Sequence, residues 1–327
     1  MKVKAAEIAR QLGISKATVS LALNNKPGVS HKTKKMILEY IDKIEYGLEE
    51  SYEGKTIRIL LYSIHMSYAS NDFVDLWDEV IREFSGEAKK DGFSVVVDYI
   101  DGSDKESILK SVEACNNEQV SGIILMGAEM TLVDYALFRT IKKPMIIYDN
   151  DFEDEHSCIM IDNEDGVKKS IHHYLNQGVN NICFLGNNDY NYNFLRRRDA
   201  YLNMRAKYGF KGDIHMVGRN VDEICENVKK LYAEDCHAFI CENYTVSIGT
   251  IKAFKELGEK IGEDILIIGI DQIPDYCSYG YQLTTIRITH AQRAFLAMEL
   301  LKKEIAQQKV DRFKIYSTCT FVKGDTA

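Results

Sequence analysis

Apolar residues recur along this chain with two different periods. Between Lys4 and Tyr46 they fall at helical spacing in three short blocks with almost no spacer. From Thr56 onward, short continuous apolar runs alternate with amphipathic stretches. TIRILLY (56–62), FSVVVDYI (93–100), GIILMG (122–127) and PMIIYD (144–149) read as strands, with helices expected over 73–90, 104–117 and 131–141. A second series starts at CIMID (158–162) and continues through NICFLG, IHMVG, AFICEN and ILIIGID, with helices over 164–177, 194–208, 221–233 and 245–257. LTTIR (283–287) then leads into a long helix over 290–306 and one terminal strand near 314–322. Strands alternating with helices in this way give parallel sheets covered on both faces. The expected class is therefore α/β: a three-helix head (1–46), a linker (47–55) and a core (56–327) of two similar lobes, each with a doubly wound parallel sheet.

In the head, Ala6, Ile8, Ala9 and Leu12 make one apolar face. Gly13 breaks that helix, because glycine tolerates the positive φ of a tight turn. Ser15 is a good N-cap for a second helix that runs to about Leu23. Val19, Ala22 and Leu23 are expected to face inward on it, with Lys16, Ala17, Ser20, Leu21 and Asn24 outside. Ser30 caps a third helix with apolar Met36, Ile37, Tyr40, Ile41 and Ile44. Helix, glycine turn, helix is the helix-turn-helix arrangement, whose second helix enters the DNA major groove.

A plain three-helix cap with solvated Lys and Ser is the competing reading, and charge argues against it. Residues 1–38 hold eight Lys/Arg and one acid, a net of +7 in a chain of net −8, which leaves −15 on the remainder. Positive charge gathered at one end of an acidic protein is the footprint of phosphate binding. The run EIARQLGISKATVSLALNNKPGVS resembles the N-terminal motif of the LacI/GalR family of bacterial transcriptional regulators over some forty residues. The resemblance implies base reading from Lys16 and Ala17. Leu21 stands where the family usually has Arg. The expected DNA-contacting set is Lys4, Ser15, Lys16, Ala17, Thr18, Ser20, Leu21, Asn24 and Ser30, with double-stranded operator DNA as partner and a homodimer as the binding form.

The linker GLEESYEGK departs from the family, which usually has a Pro-Asn pair here and a hinge helix that wedges a Leu into the minor groove. Leu48 and Glu49 stand in place of Pro and Asn, and Glu49, Glu50 and Glu53 oppose phosphate. An acidic, glycine-flanked segment reads as a flexible tether.

The core resembles the type I periplasmic-binding-protein fold that the family uses as its effector domain, through VSGIILMG, CIMIDNEDG, AFICEN, IGTIKAFKELGEKIGEDILIIGIDQI and QLTTIR. Three crossings between lobes are expected near 150–157, 284–288 and 308–314. They put the N-lobe at about 56–155 and 287–311, and the C-lobe at about 156–286 and 312–327. Open α/β sheets bind ligands at the carboxyl ends of their strands. The candidates are Ser63, Phe73, Asp149, Asp162, Tyr192, Arg197, Asn243 and Asp271. Asp, Asn and Arg suit sugar hydroxyls, and aromatic rings suit the apolar face of a sugar. Arg197, Asn243 and Asp271 match family positions that contact effector; Tyr244 stands where the family often has Asp. Structural alternatives remain for several of these. Asp162, Asn163 and Asn243 also fit as helix caps, and Arg196 and Arg198 as a solvated basic run.

Composition is that of an ordinary globular protein, 45% hydrophobic with 3 Pro. No apolar run is long enough for a membrane span, and the N-terminus enters the head directly without a signal peptide, so a cytoplasmic protein is expected. The eight Cys are scattered without a C-x-x-C, which points to reduced thiols and no structural metal. No G-x-S-x-G, Walker-type loop or G-x-G-x-x-G occurs, and the adjacent His172 and His173 point about 100° apart on a helix. The reading is a regulator, expected to be a repressor, controlled by a sugar-like small molecule, with no catalytic residue and no cofactor. The alternatives are a stand-alone sugar-binding module with a degenerate head, and a regulator controlled by a protein partner.

Overall fold

The computed structural model describes residues 5–24, 26, 28–45, 54–64, 75–153, 156–232, 236–306 and 311–327. Lys4, Phe73 and residues 47–53 of the linker lie outside the described residues. The head consists of α1 (Ala5–Gln11), α2 (Lys16–Leu23) and α3 (His31–Glu45). Ile8, Val19 and Ile37, each at most 1% exposed, meet at its centre with Ala9 and Ala22. Gly13 sits at φ 63° in the turn. Leu23 is 46% exposed rather than inward, because it is the last residue of a two-turn helix whose packing is done by Val19 and Ala22.

The core holds two six-stranded sheets built on one plan. The first contains β1 (Thr56–Ser63), β2 (Ser94–Asp101), β3 (Val120–Met126), β4 (Met145–Tyr148), β5 (Cys158–Ile161) and β11 (Lys314–Ser317), in the order β11-β5-β4-β3-β1-β2 and parallel throughout. The second contains β6 (Cys183–Asn187), β7 (Ile214–Gly218), β8 (Ala238–Cys241), β9 (Leu266–Ile270), β10 (Thr284–Arg287) and β12 (Thr320–Val322), in the order β12-β10-β9-β8-β6-β7. Its edge strand β12 is antiparallel to β10. The central strands β3, β4, β6 and β8 are almost continuously buried because helices cover both faces of each sheet. In the N-lobe, α4 (Asp75–Lys90) and α11 (His290–Ile305) cover one face, and α5 (Lys105–Cys115) and α6 (Leu132–Phe138) the other. In the C-lobe the pairs are α7 (Asn163–Asn176) with α8 (Tyr192–Tyr208), and α9 (Val221–Leu231) with α10 (Tyr244–Leu257).

The lobe boundaries differ from those the sequence suggests. β5 pairs with β4 and β11, so CIMID belongs to the N-lobe instead of opening the C-lobe. The expected single terminal strand is two, β11 in the N-lobe sheet and β12 in the C-lobe sheet. The chain thus crosses at Asp162, at 288–289 and at 318–319, a few residues later than expected at the first and third crossings. An apolar run of four residues carries no mark of the sheet it joins. The thiols are also not all free: Cys183 and Cys236, both buried, form a disulfide across 53 residues.

Candidate functional site

Two surfaces collect the residues singled out by the sequence. On the head, Lys16, Ala17 and Ser20 project from α2 into solvent. The serines around them hold the helices. Ser15 Oγ accepts from the Thr18 N–H at 3.0 Å and pairs with Thr18 Oγ1 at 2.8 Å, and Ser30 Oγ accepts from the Thr33 N–H at 3.1 Å. Asn24 Nδ2 donates to the Ser20 carbonyl at 2.8 Å, closing the other end of α2. Leu21 is half-buried, lying against the Gly28 turn, so it is not part of the outward face as expected.

The second surface is the cleft between the lobes. In each sheet the strand order reverses beside the first strand, between β1 and β3 and between β6 and β8, and the loops part there at the carboxyl ends. A glutamate ties the loops together in both lobes. Glu129 accepts from Ser63 Oγ at 2.7 Å and from the Ile64 N–H at 3.2 Å. Glu242, fully buried, accepts from the Asn187 N–H at 2.7 Å and from Arg198 Nε and Nη2 at 2.7 Å each. Arg198 is therefore the partner of a buried acid and not part of a solvated run; Arg196 is exposed. Burial pushes the Glu242 carboxyl above its ordinary value, with Arg198 pulling the other way.

Asp149 and Asp271 occupy matching places after β4 and β9. Both have a left-handed backbone, φ 65° and 81°. Each N–H donates to the neighbouring strand, Asp149 to the Ile159 carbonyl at 3.0 Å and Asp271 to the Ile286 carbonyl at 2.9 Å. A non-glycine residue there costs about 1–3 kcal/mol and persists where the surroundings require it. Asp149 is buried and ion-paired with Arg293; Asp271 is half-buried.

Arg197, 4% exposed, lies between the lobes' charges. Its Nε donates to Asn163 Oδ1 at 2.8 Å and its Nη1 to the Glu242 carbonyl at 2.6 Å. Asn163 Nδ2 in turn donates to Asn193 Oδ1 at 2.8 Å. Burial lowers the Arg197 guanidinium from its usual range, opposed by the carboxylates of Asp271, Glu242 and Asp149. Tyr244 is pushed up to about 12, by burial first and also by the Asp271 and Glu129 charges, so carboxylates of both lobes reach it.

Two candidates are caps: Asp162 accepts from the Asp165 N–H at the start of α7, and Asn243 from the Val246 N–H at the start of α10. Asn163 is no cap; it turns into the Arg197 network. Tyr192 bridges the cleft, its N–H donating to the Ala128 carbonyl of the N-lobe at 2.6 Å while its ring packs on the N-lobe core. Glu129, Glu242 and Arg293 were missed from sequence. The available signal was an acid directly after a strand for Glu242, an acid in the loop three residues past a strand for Glu129, and a cation in the first turn of a helix for Arg293. Among the described residues Cys225, Glu226 and Glu256 approach one another closely enough for a metal, but Lys229 bonds both carboxylates.

Known proteins match the chain along its length. Residues 5–47 match the family of bacterial regulatory proteins of the lacI type, and residues 171–327 match the periplasmic binding protein-like domain. The transcriptional repressor PurR of Glaesserella parasuis serovar 5 (strain SH0165) is 24% identical over 313 residues, 92% of this chain and 89% of that one. The transcriptional regulator MalR of Clostridium butyricum is 22% identical over 329 residues, 95% and 96% of the two chains. The fold is similar to that of the lac repressor dimer bound to operator and the anti-inducer ONPF, with TM-score 0.69 and 19% identity over 100% of this chain and 99% of that one. No helix among the described residues is long and apolar enough to cross a membrane. The chain thus joins a lacI-type regulatory head over residues 5–47 to a periplasmic binding protein-like domain over 171–327.

Proposed function

We propose that this chain is a repressor that binds operator DNA as a homodimer through α2, and that a hydroxyl-rich small molecule in the cleft sets its affinity. The observation that carries the reading is Arg197. A guanidinium 4% exposed, held by Asn163 and within electrostatic reach of acids from both lobes, is an expensive arrangement for packing alone. It is a suitable one for a ligand that must sense both lobes at once. Ser63, Glu129 and Asp271 supply acceptors for hydroxyl donors, and Arg197 a donor for their oxygens. The lac repressor neighbour was bound to operator as a dimer, and the neighbouring CelR regulator was in complex with cellobiose. On this reading the protein is a cytoplasmic regulator and not an enzyme.

A thermal-shift screen of saccharides and related metabolites, followed by operator titration with each hit, tests this. A ligand that binds only the folded protein raises its melting temperature by mass action. Hits that act equally on Arg197→Ala and wild type would remove the cleft from the account.

A further inference from the structure

The start of α11 is built against ordinary helix electrostatics. Its N-cap, Thr289, makes no side-chain cap bond, and its first turn holds no acid. It holds His290 instead, with Arg293 one turn on. Cations are disfavoured near a helix N-terminus, where the dipole is positive. Arg293 is nevertheless 0% exposed.

The polar atoms here are unsatisfied. Arg293 Nη2 is ion-paired with Asp149, but Arg293 Nε and Nη1 are buried with no hydrogen-bond partner among the described residues. The same holds for both ring nitrogens of His290 and for the hydroxyl of Tyr148. The Arg293 guanidinium lies 4.1 Å from the centre of the Tyr148 ring, which fixes its place by a cation–π contact. His290 and Arg293 stand three residues apart and so share a face of the helix. Buried donors left unpaired are destabilising, so a group that accepts from them would recover stability. Every one of these side chains can donate, and arginine can only donate.

The cluster lies at the carboxyl edge of the N-lobe sheet, the edge that borders the cleft. Tyr148 ends β4, Asp149 follows it at the carboxyl edge of the sheet, and the Asp149 charge acts on both Arg293 and Arg197. From these observations we infer that Arg293, with His290 and Tyr148, forms an anion subsite in the N-lobe wall, which receives a carboxylate or phosphate group of the effector. This rests on the cleft being the effector site, and it narrows the ligand from a neutral sugar to an acidic one, such as a sugar acid or sugar phosphate. Asp149 holds the guanidinium from one side, and the anion closes the other side and the open end of α11.

The test uses the full chain and two simple anions, acetate and inorganic phosphate, each titrated against chloride at constant ionic strength. The expected result is a saturable rise in melting temperature of about 2–4 °C with one of them. A larger response to acetate identifies a carboxylate site, and a larger response to phosphate a phosphate site. Arg293→Met abolishes the rise. Because that change leaves Asp149 buried and unpaired, the double variant Asp149→Asn with Arg293→Met is measured beside it as a folded, charge-balanced control, and it too gives no rise. Absence of a saturable rise in wild type, or an equal rise in wild type and the double variant, overturns the subsite. The two readings fail separately: if a neutral saccharide raises the melting temperature through Arg197 and Asp271 while neither anion does, the cleft stands and the anion subsite does not.

Discussion

Arg197 on α8 donates its Nε to Oδ1 of Asn163, the first residue of α7, at 2.8 Å. This bond ties a buried guanidinium, acted on by Asp271, Glu242 and Asp149, to the point where the chain first enters the C-lobe. The family resemblance implies a ligand contact at Arg197; in the structure its guanidinium joins α8 to Asn163 and to the Glu242 carbonyl. We expect Arg197→Ala to remove the ligand's effect on operator binding and to destabilise the protein by about 1–3 kcal/mol, since the amide of Asn163 and the Glu242 carbonyl lose a partner. Operator affinity without ligand should remain near wild type. Parallel urea denaturation and operator titration check the two parts. Intact ligand response in a destabilised variant would reduce Arg197 to a structural role.

The pair Arg198–Glu242 is the opposite case, structural in every contact. Arg198→Met leaves a fully buried carboxylate without its cation, and we expect a loss of roughly 3–5 kcal/mol. The effect depends on pH. The folded-state pKa of Glu242 already lies above its ordinary 4.5, chiefly through burial, and without Arg198 it rises further. A raised carboxyl pKa gives stability that is fully present below about 4.5 and lost as pH rises through the folded value. The penalty of Arg198→Met should therefore be small near pH 4.5 and grow toward neutrality. Urea unfolding of both proteins from pH 4.5 to 8 measures it, and a penalty constant over that range would show that the carboxylate does not carry the effect.

On the head, Lys16 is exposed at the start of α2, free to reach guanine O6 and N7. Replacing it by Ala should cost about 1–3 kcal/mol and relax preference at one base pair of each half-site. Affinity measured across a set of single-base operator variants separates this from phosphate contact, which would weaken all sequences alike and lower only the salt slope.

The order of strands and helices was legible because strand runs and helical faces differ in period, and each sheet repeats the same alternation. What could not be read were the facts that depend on pairing across distance. β5 looks like any apolar run and β11, Lys314–Ser317, has only Ile315 and Tyr316 to mark it, yet their partners decide where the lobes divide. Cys183 and Cys236 are 53 residues apart with no motif between them. In the run Arg196-Arg197-Arg198 the helix turns about 100° per residue. One faces solvent, one Asn163 and one Glu242, and the sequence alone does not say which acid lies beneath. The head was read more fully because its contacts are local, although Leu21 and Leu23 traded the sides expected of them.

The linker supplies a prediction from sequence alone. With Glu49, Glu50 and Glu53 facing phosphate and no Pro-Asn start, it should act as a tether and leave the operator nearly straight. Circular-permutation bending assays on operator fragments report the angle. A sharp central kink that disappears in Leu48→Ala would restore an inserted hinge helix.

The central claim is that one ligand couples the cleft to the head. It is tested most directly by measuring operator Kd for the full chain by fluorescence anisotropy, with and without a saturating cleft ligand, at one salt concentration. The account predicts a shift of about 5–150-fold, and the same factor in the ligand's own Kd when operator is present, because coupling between two binding sites is reciprocal. A ligand that binds tightly in the cleft and leaves operator Kd unchanged would contradict it.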